Sequence, residues 1–128
     1  MGGALAPDME LEASDPRPIV CVDFNGVLDR YTGWQGPDHC DPPGEGAAGF
    51  LRALSEHGFR VVVFTTRYAP QVEAWLVEHG LAQWVAEVTD RKPAAFVFVD
   101  DRAVCFRGDF GRTLEEVLRF RAHWEGEP

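Results

Sequence analysis

Short apolar runs recur along the chain, and each is bounded by polar residues, glycine or proline. The run 18–24 is rich in β-branched residues and leads into Asn25-Gly26, a pair suited to a turn with positive φ. Further runs occupy 61–64, 84–88 and 95–99. Because these runs are short and continuously apolar, they predict four strands of a parallel sheet that is covered on both faces.

Stretches with a helical spacing of apolar residues separate or follow these runs, at 46–58, 72–81 and 113–120. Gly58 and Gly80 mark the ends of the first two stretches. Thr113, with Glu116 three residues later, is the predicted N-cap of the third. Strands that alternate with helices predict an α/β fold, a three-layer Rossmann-like domain with a mainly parallel central sheet.

The length of 128 residues allows one domain of ordinary size. Residues 1–17 have no period of 2 or 3.6, which predicts a flexible N-terminal tail followed by a single domain over 18–128. The segment 29–46 is rich in Gly, Pro and Asp and predicts a structured loop. Trp75, Trp84 and Trp124 are expected to be core or interface aromatics.

The net charge and the cysteines indicate which partners and which cellular compartment to expect. With 21 acidic and 12 basic residues, the net charge of −9 argues against binding to nucleic acid or to an anionic membrane. The three cysteines form no C-x-x-C pair, as expected of a reduced protein. The sequence has no apolar run of about 18 residues, the length of a membrane span, so we expect a cytoplasmic protein.

Polar side chains stand at the ends of three of the predicted strands. Asp23 ends the first, Thr65 follows the second, and Asp100-Asp101 follows the fourth. Because the carboxyl ends of parallel strands meet at one edge of a sheet, these groups are expected to converge in one crevice. Clustered carboxylates repel one another unless a cation neutralises them, and oxygen ligands without His or Cys favour Mg²⁺.

Phosphate-binding groups are predicted at the same edge. Lys92, the only lysine of the chain, precedes the fourth strand and can supply an ammonium. Thr65 offers a hydroxyl, and the Asn25-Gly26 turn offers backbone N–H groups. Such a combination is typical of phosphoryl transfer, in which positioning and charge neutralisation supply most of the catalysis, and an Asp can act there as the nucleophile.

Four segments together resemble the motifs of the haloacid dehalogenase-like (HAD) phosphohydrolase superfamily, over residues 18–110. The segment 23–28, DFNGVL, is similar to its first motif, and 61–65, VVVFT, to its second. Lys92 matches the lysine of the third motif, and 98–101, FVDD, the acidic fourth motif. All four occur in the family's order and on the expected elements.

The resemblance implies a role for each matching residue. Asp23 would be the nucleophile, and Mg²⁺ would be held by Asp23, Asp100 and the main-chain carbonyl of Asn25, with Asp101 supporting the metal shell. Thr65 and Lys92 would hold the phosphoryl group. Which carboxylate of the Asp100-Asp101 pair contacts the metal directly stays open.

Position 25 departs from the family's pattern. The family's phosphatases carry an Asp there, which acts as acid toward the leaving group and as base toward water, whereas this chain has Asn25. Asparagine cannot donate a proton as an acid, and loss of a general acid or base typically lowers a rate by about 10²- to 10⁴-fold. Asn25 therefore leaves metal and phosphate binding in place and brings turnover into question.

The spacing between motifs leaves no room for the separate cap domain that many relatives insert. A capless site is open, and it suits an exposed phosphate, a macromolecular end or a site closed by a partner subunit, as in a homo-oligomer. Tyr31 and Trp34, in the loop 29–46, are the candidates for a lid. Candidate substrate-binding residues beside the motifs are Gly26, Thr66, Arg67 and Arg102.

Two functions of different classes follow. The first is a Mg²⁺-dependent phosphatase that acts on a phosphorylated substrate through an aspartyl-phosphate at Asp23, slowly because of Asn25. The second is a binding or regulatory protein that has lost turnover and retains metal and phosphate binding. Repair of nucleic-acid ends fits an open site but fits the negative charge poorly.

Overall fold

The computed structural model describes residues 15–125, so most of the predicted tail 1–17 lies outside the described residues. The strands are β1 (Ile19–Asp23), β2 (Arg60–Phe64), β3 (Glu87–Thr89) and β4 (Val97–Val99). The helices are α1 (Ala47–Glu56), α2 (Ala69–Glu78) and α3 (Phe110–Leu118). Short helical turns are found at Phe24–Leu28, Ala82–Trp84 and His123–Glu125.

The four strands form one parallel sheet in the order β3-β2-β1-β4. β1 is central: Cys21 is paired with Val62 of β2 on one side and with Phe98 of β4 on the other. The α/β prediction with a parallel sheet is confirmed, and the arrangement is consistent with a three-layer Rossmann-like fold. No separate cap domain interrupts the described residues.

One face of the sheet carries the hydrophobic core. Val22 of β1 and Val63 of β2 are fully buried there against Leu51 of α1 and Val72 of α2. Both helices thus cover the same face, as expected when successive crossovers run in one direction along a sheet. Burial of a Val or Leu side chain contributes about 1.5–3 kcal/mol, so this face supplies most of the stability.

The opposite face of the sheet is more open. Cys21 and Val62 point to it and are buried, whereas Phe98, beside Cys21, is 45 % exposed. Helix α3 buries no residue, and Phe110 and Leu118 on it are exposed. The third layer is therefore thin in the described part of the chain.

Two strands are shorter than predicted. The predicted strand 84–88 begins at Glu87, because Ala82–Trp84 forms a helical turn in which the Trp84 amide donates to the carbonyl of Leu81 at 3.2 Å. The predicted strand 95–99 begins at Val97, where pairing with β1 starts.

The last helix starts three residues before the predicted N-cap. Asp109 caps it, since its Oδ1 accepts a hydrogen bond from the amide of Arg112 at 3.1 Å. Thr113 lies inside the helix, and its hydroxyl donates to the carbonyl of Asp109 at 2.8 Å. The prediction of Thr113 as N-cap was wrong because an Asp four residues earlier performs that function.

Within residues 15–125, none of the helices is both long enough and apolar enough to cross a membrane.

Candidate functional site

The carboxyl ends of β1, β2 and β4 border one open cavity of about 290 Å³. Its lining combines acidic, basic, hydroxyl and aromatic side chains. They are Asp23, Asn25, Tyr31, Trp34, Phe64, Thr65, Thr66, Lys92, Asp100, Asp101 and Arg102. Of the predicted site residues, only Gly26 and Arg67 are not part of this lining.

Three carboxylates form the acidic centre of the cavity. Asp23, Asp100 and Asp101 each have an oxygen within 4.8 Å of the others'. Burial, together with the negative charges of Asp100 and Asp101, raises the pKa of Asp23 to about 8. A hydrogen bond between the side chains of Asp23 and Asp101 also raises this pKa. The cluster is therefore strained by like charges when no cation is present.

Gly26 allows the chain to turn directly beside these acids. Its φ of +86° lies in the left-handed region that favours glycine. A Cβ at this position would overlap the carboxylate of Asp101 and would lie 2.9 Å from Nε1 of Trp124. Position 26 thus contributes space to the site, and its backbone follows the predicted turn after β1.

The side chain of Asn25 is hydrogen-bonded to the carboxylate of Asp29 and to the guanidinium of Arg67. Its Nδ2 donates to Oδ2 of Asp29 at 2.6 Å, and its Oδ1 accepts from Nε of Arg67 at 2.9 Å. Asp29 is 3 % exposed, and burial raises the pKa of its carboxyl group. An amide can donate to a carboxylate and accept from a guanidinium at once, which an ionised aspartate at position 25 cannot do.

Arg67 is a buried support for this turn. Its guanidinium lies over the ring of Trp34, with the central carbon 4.8 Å from the ring centroid. Its backbone amide donates to Oγ1 of Thr65 at 3.0 Å, which orients the threonine at the end of β2. Arg67 was predicted to bind substrate, and this role stays a prediction: its Nε donates to Asn25, which lines the cavity, and Arg67 itself is not part of the lining.

Lys92 is the lysine of the cavity lining. Its Nζ is 5.7 Å from the ring centroid of Phe64 and 5.4 Å from that of Phe98. Aromatic faces attract an ammonium group, so the two rings hold the cation near the strand ends. Thr66 and Arg102 are exposed residues of the lining.

The loop 29–46 returns to its starting point before α1. The amide of Arg30 donates to the carbonyl of Pro42 at 2.8 Å, and the amide of Gly44 donates to the carbonyl of Leu28 at 2.7 Å. These bonds, with a bridge between Asp29 and Pro43, close the base of the loop. Tyr31 and Trp34 extend from this base to the cavity.

Sequence reasoning missed three residues that contact the site. Asp29 binds Asn25, His123 contacts the carbonyl of Gly26, and Nε1 of Trp124 donates to Asp101. His123 lies 97 positions from Gly26, and Trp124 lies 23 positions from Asp101. No local sequence pattern signals such pairs. For Asp29, its position directly after a buried strand and turn was the available signal.

The donor set fits a hard divalent cation. Three carboxylates meet, the raised pKa of Asp23 reflects burial and crowded negative charge, and the same group contains no His or Cys. Among residues 15–125 no other group of three such side chains is close enough together to hold a metal.

No protein-family model matches the sequence, and no curated protein matches it. A solved structure described as a conserved protein from Bacteroides thetaiotaomicron is similar to this chain with a TM-score of 0.55 and 18 % identity. The similarity covers 80 % of this chain and 90 % of that one. At this identity the likeness supports the fold alone.

Proposed function

We propose that the protein is a Mg²⁺-dependent phosphohydrolase of the HAD-like type, with Asp23 as nucleophile. The observation that carries the proposal is the meeting of Asp23, Asp100 and Asp101 in one cavity with the hydroxyl of Thr65 and the ammonium of Lys92. A phosphoryl group needs anionic ligands for its metal and cationic or hydroxyl donors for its oxygens, and the cavity contains both.

Asp23, Asp100, Asp101 and the main-chain carbonyl of Asn25 are the candidate ligands of the ion. When bound, a divalent cation would neutralise these carboxylates and the phosphoryl oxygens, which removes the repulsion between nucleophile and substrate. Lys92 and Thr65 would then hold the remaining phosphoryl oxygens. Arg102, on the exposed side of the lining, would contact the rest of an anionic substrate.

The reaction proceeds in two displacements at phosphorus. A carboxylate oxygen of Asp23 attacks phosphorus, the bond from phosphorus to the leaving oxygen breaks, and the leaving group departs with the bonding electron pair. Water then attacks the phosphorus of the aspartyl-phosphate, the Asp23 carboxylate leaves with its electron pair, and inorganic phosphate is released. The proton of that water passes to the solvent.

Asn25 decides which substrates react at a useful rate. Its amide is bound to Asp29 and Arg67 and cannot protonate a leaving oxygen. Aryl and acyl phosphates, which leave without protonation, are therefore the preferred class, and alkyl phosphates would react about 10²-fold more slowly or worse.

A second candidate function is a phosphate-binding regulatory protein without turnover. The observation that favours it is the full engagement of the Asn25 amide by Asp29 and Arg67, since an amide at this position cannot donate a proton as an acid. This protein would bind Mg²⁺ and inorganic phosphate and would release no product.

Hydrolysis of p-nitrophenyl phosphate separates the two functions. The enzyme hypothesis expects multiple turnovers that require Mg²⁺, stop with EDTA and are lost in Asp23→Asn. Asp38→Asn, the same change on the exposed loop, is the matched control and keeps the parent rate. Equal rates in Asp23→Asn and the parent would overturn the assignment of the nucleophile.

Absence of turnover in the parent would be followed by calorimetric titration with Mg²⁺ and inorganic phosphate. Binding that is lost in Asp23→Asn supports the regulatory protein. Absence of both turnover and binding would contradict both functions.

A further inference from the structure

The segment 122–125 returns from the exposed helix α3 to the acidic centre. Ala122 is buried with 3 % exposure, and the turn His123–Glu125 follows it. The amide of Ala122 donates a hydrogen bond to Oε1 of Glu125 at 2.9 Å, which stabilises this turn. Helix α3 buries no residue, whereas the segment 122–125 contacts Gly26 and Asp101 beside the strand ends.

Two side chains of this segment bind atoms of the site. Nε1 of Trp124 donates to Oδ2 of Asp101, and Nε2 of His123 is within hydrogen-bond distance of the carbonyl oxygen of Gly26. A carbonyl only accepts, so the imidazole is the donor in the second contact. The indole ring also packs edge-on against Tyr31 of the lining, with the ring centroids 4.9 Å apart.

The indole bond acts on a carboxylate that would otherwise turn away. Asp101 lies beside Asp100 and Asp23, and the terminal torsion of an aspartate is soft, so repulsion from the charge of Asp100 favours rotation toward solvent. A donor on Oδ2 fixes the plane of the carboxylate and offsets part of its charge. Such outer contacts typically determine whether a metal ligand is oriented for binding.

We propose that Trp124 is a positioning residue of the site, which holds the Asp101 carboxylate toward Asp23 through its indole N–H and is itself steadied by Tyr31 and by the His123 contact to Gly26. The inference rests on the proposed function, because the oriented carboxylate matters for Mg²⁺ binding. The segment 122–125 is then part of the site, and not merely packing around it.

The direct test is the affinity for Mg²⁺, measured by calorimetry without substrate. Trp124→Phe keeps the ring and removes the donor, and we expect it to weaken Mg²⁺ binding by about 10- to 100-fold. The matched control is Trp84→Phe, which changes a partly buried Trp that packs on the core away from the cavity and should leave the affinity unchanged. Parent-like affinity in Trp124→Phe would overturn the proposal.

A second measurement does not depend on the metal. In a proton–nitrogen NMR spectrum, the indole resonance of Trp124 is identified as the one absent in Trp124→Phe. Asp101→Asn should shift this resonance and leave the other three indole resonances in place. An unmoved Trp124 resonance would show that the bond is absent in solution and would overturn the positioning role.

The two measurements separate the possible failures. If the parent binds no Mg²⁺ but Asp101→Asn shifts the Trp124 resonance, the proposed function fails on its metal while the contact between Trp124 and Asp101 is supported. If the parent binds Mg²⁺ and Trp124→Phe binds it equally well, the proposed function stands and the positioning role fails.

Discussion

Two halves of the molecule meet at the cavity, and they differ in how firmly they are held. In the buried half, formed by β1, β2, α1 and α2, Val22 and Val63 have no exposed surface. In the open half, formed by β4 and α3, Val97 is 43 % exposed and Leu118 is 75 % exposed. The nucleophile candidate Asp23 belongs to the buried half. Asp100 and Asp101 belong to the open half, where they directly follow β4.

The difference indicates that the two sets of carboxylates are positioned by different forces. Core packing fixes the end of β1, and therefore the position of Asp23. The loop after β4 has little packing, so its acids depend on individual hydrogen bonds, such as the bond from Trp124 to Asp101. Site geometry and global stability should therefore respond to different substitutions.

The largest expected contrast comes from one substitution made in each half. Leu51→Ala removes a fully buried side chain and should lower the free energy of unfolding by about 2–5 kcal/mol. Leu118→Ala is chemically the same change on exposed α3 and should alter it by about 0.5 kcal/mol or less. Urea denaturation of both variants measures the contrast, and similar losses would show that the open half is buried in solution.

A smaller effect is expected where the buried half contacts the cavity, at Asn25. Asn25→Asp places a second carboxylate 2.6 Å from that of Asp29, where the amide now donates, and should cost about 1–3 kcal/mol. The double variant Asn25→Asp/Asp29→Asn exchanges the two residues. The amide at position 29 can then donate to the carboxylate at position 25, so the pair again has one donor and one acceptor. We expect this double variant to recover most of the stability lost in the single one.

The same exchange tests the role of position 25 in turnover. It introduces a carboxyl group at position 25, and hydrolysis of an alkyl phosphate should rise about 10²-fold over the parent. Rates on p-nitrophenyl phosphate should change less, because that leaving group needs no proton. An equal response of both substrates would contradict the assignment of position 25 to leaving-group protonation.

A further contrast is the pH dependence of stability where the two halves meet. In the metal-free protein the pKa of Asp23 is raised from 3.8 to about 8, so the folded state retains a proton that the unfolded state releases. Stability from this group is complete below about pH 4 and is lost as the pH rises through about 8. The melting temperature in EDTA should therefore fall over that interval.

Two variants check this origin of the pH dependence. Asp23→Asn cannot titrate and should flatten the decline, whereas Asp38→Asn on the exposed loop should keep the parent's slope. An unchanged slope in Asp23→Asn would assign the dependence to another group.

The sequence was sufficient for the sheet and for the residues at its edge. Continuous apolar runs identified β1 and β2, and the rule that parallel strands end together predicted that Asp23, Thr65 and Asp100 line one cavity. Those inferences depend on local pattern and on topology. The metal, the substrate and the reaction stay predictions.

Two of the contacts that hold the site could not be predicted, because they join residues far apart in sequence. Nothing near Trp124 indicates that its indole reaches Asp101, and nothing near Arg67 indicates that it binds Asn25. The start of α3 was predicted wrongly for a different, local reason. Both Asp109 and Thr113 have side chains that can cap a helix, and the pattern did not distinguish between them.

The closed base of the loop 29–46 has a consequence for how the protein can change over evolution. Because the amide of Gly44 bonds back to Leu28, both ends of the loop are fixed at the same place beside the cavity. Doubling the length of a loop with fixed ends costs only about 0.6 kcal/mol of closure entropy. Insertion of residues between these ends would therefore enlarge the cover over the cavity without rebuilding the sheet.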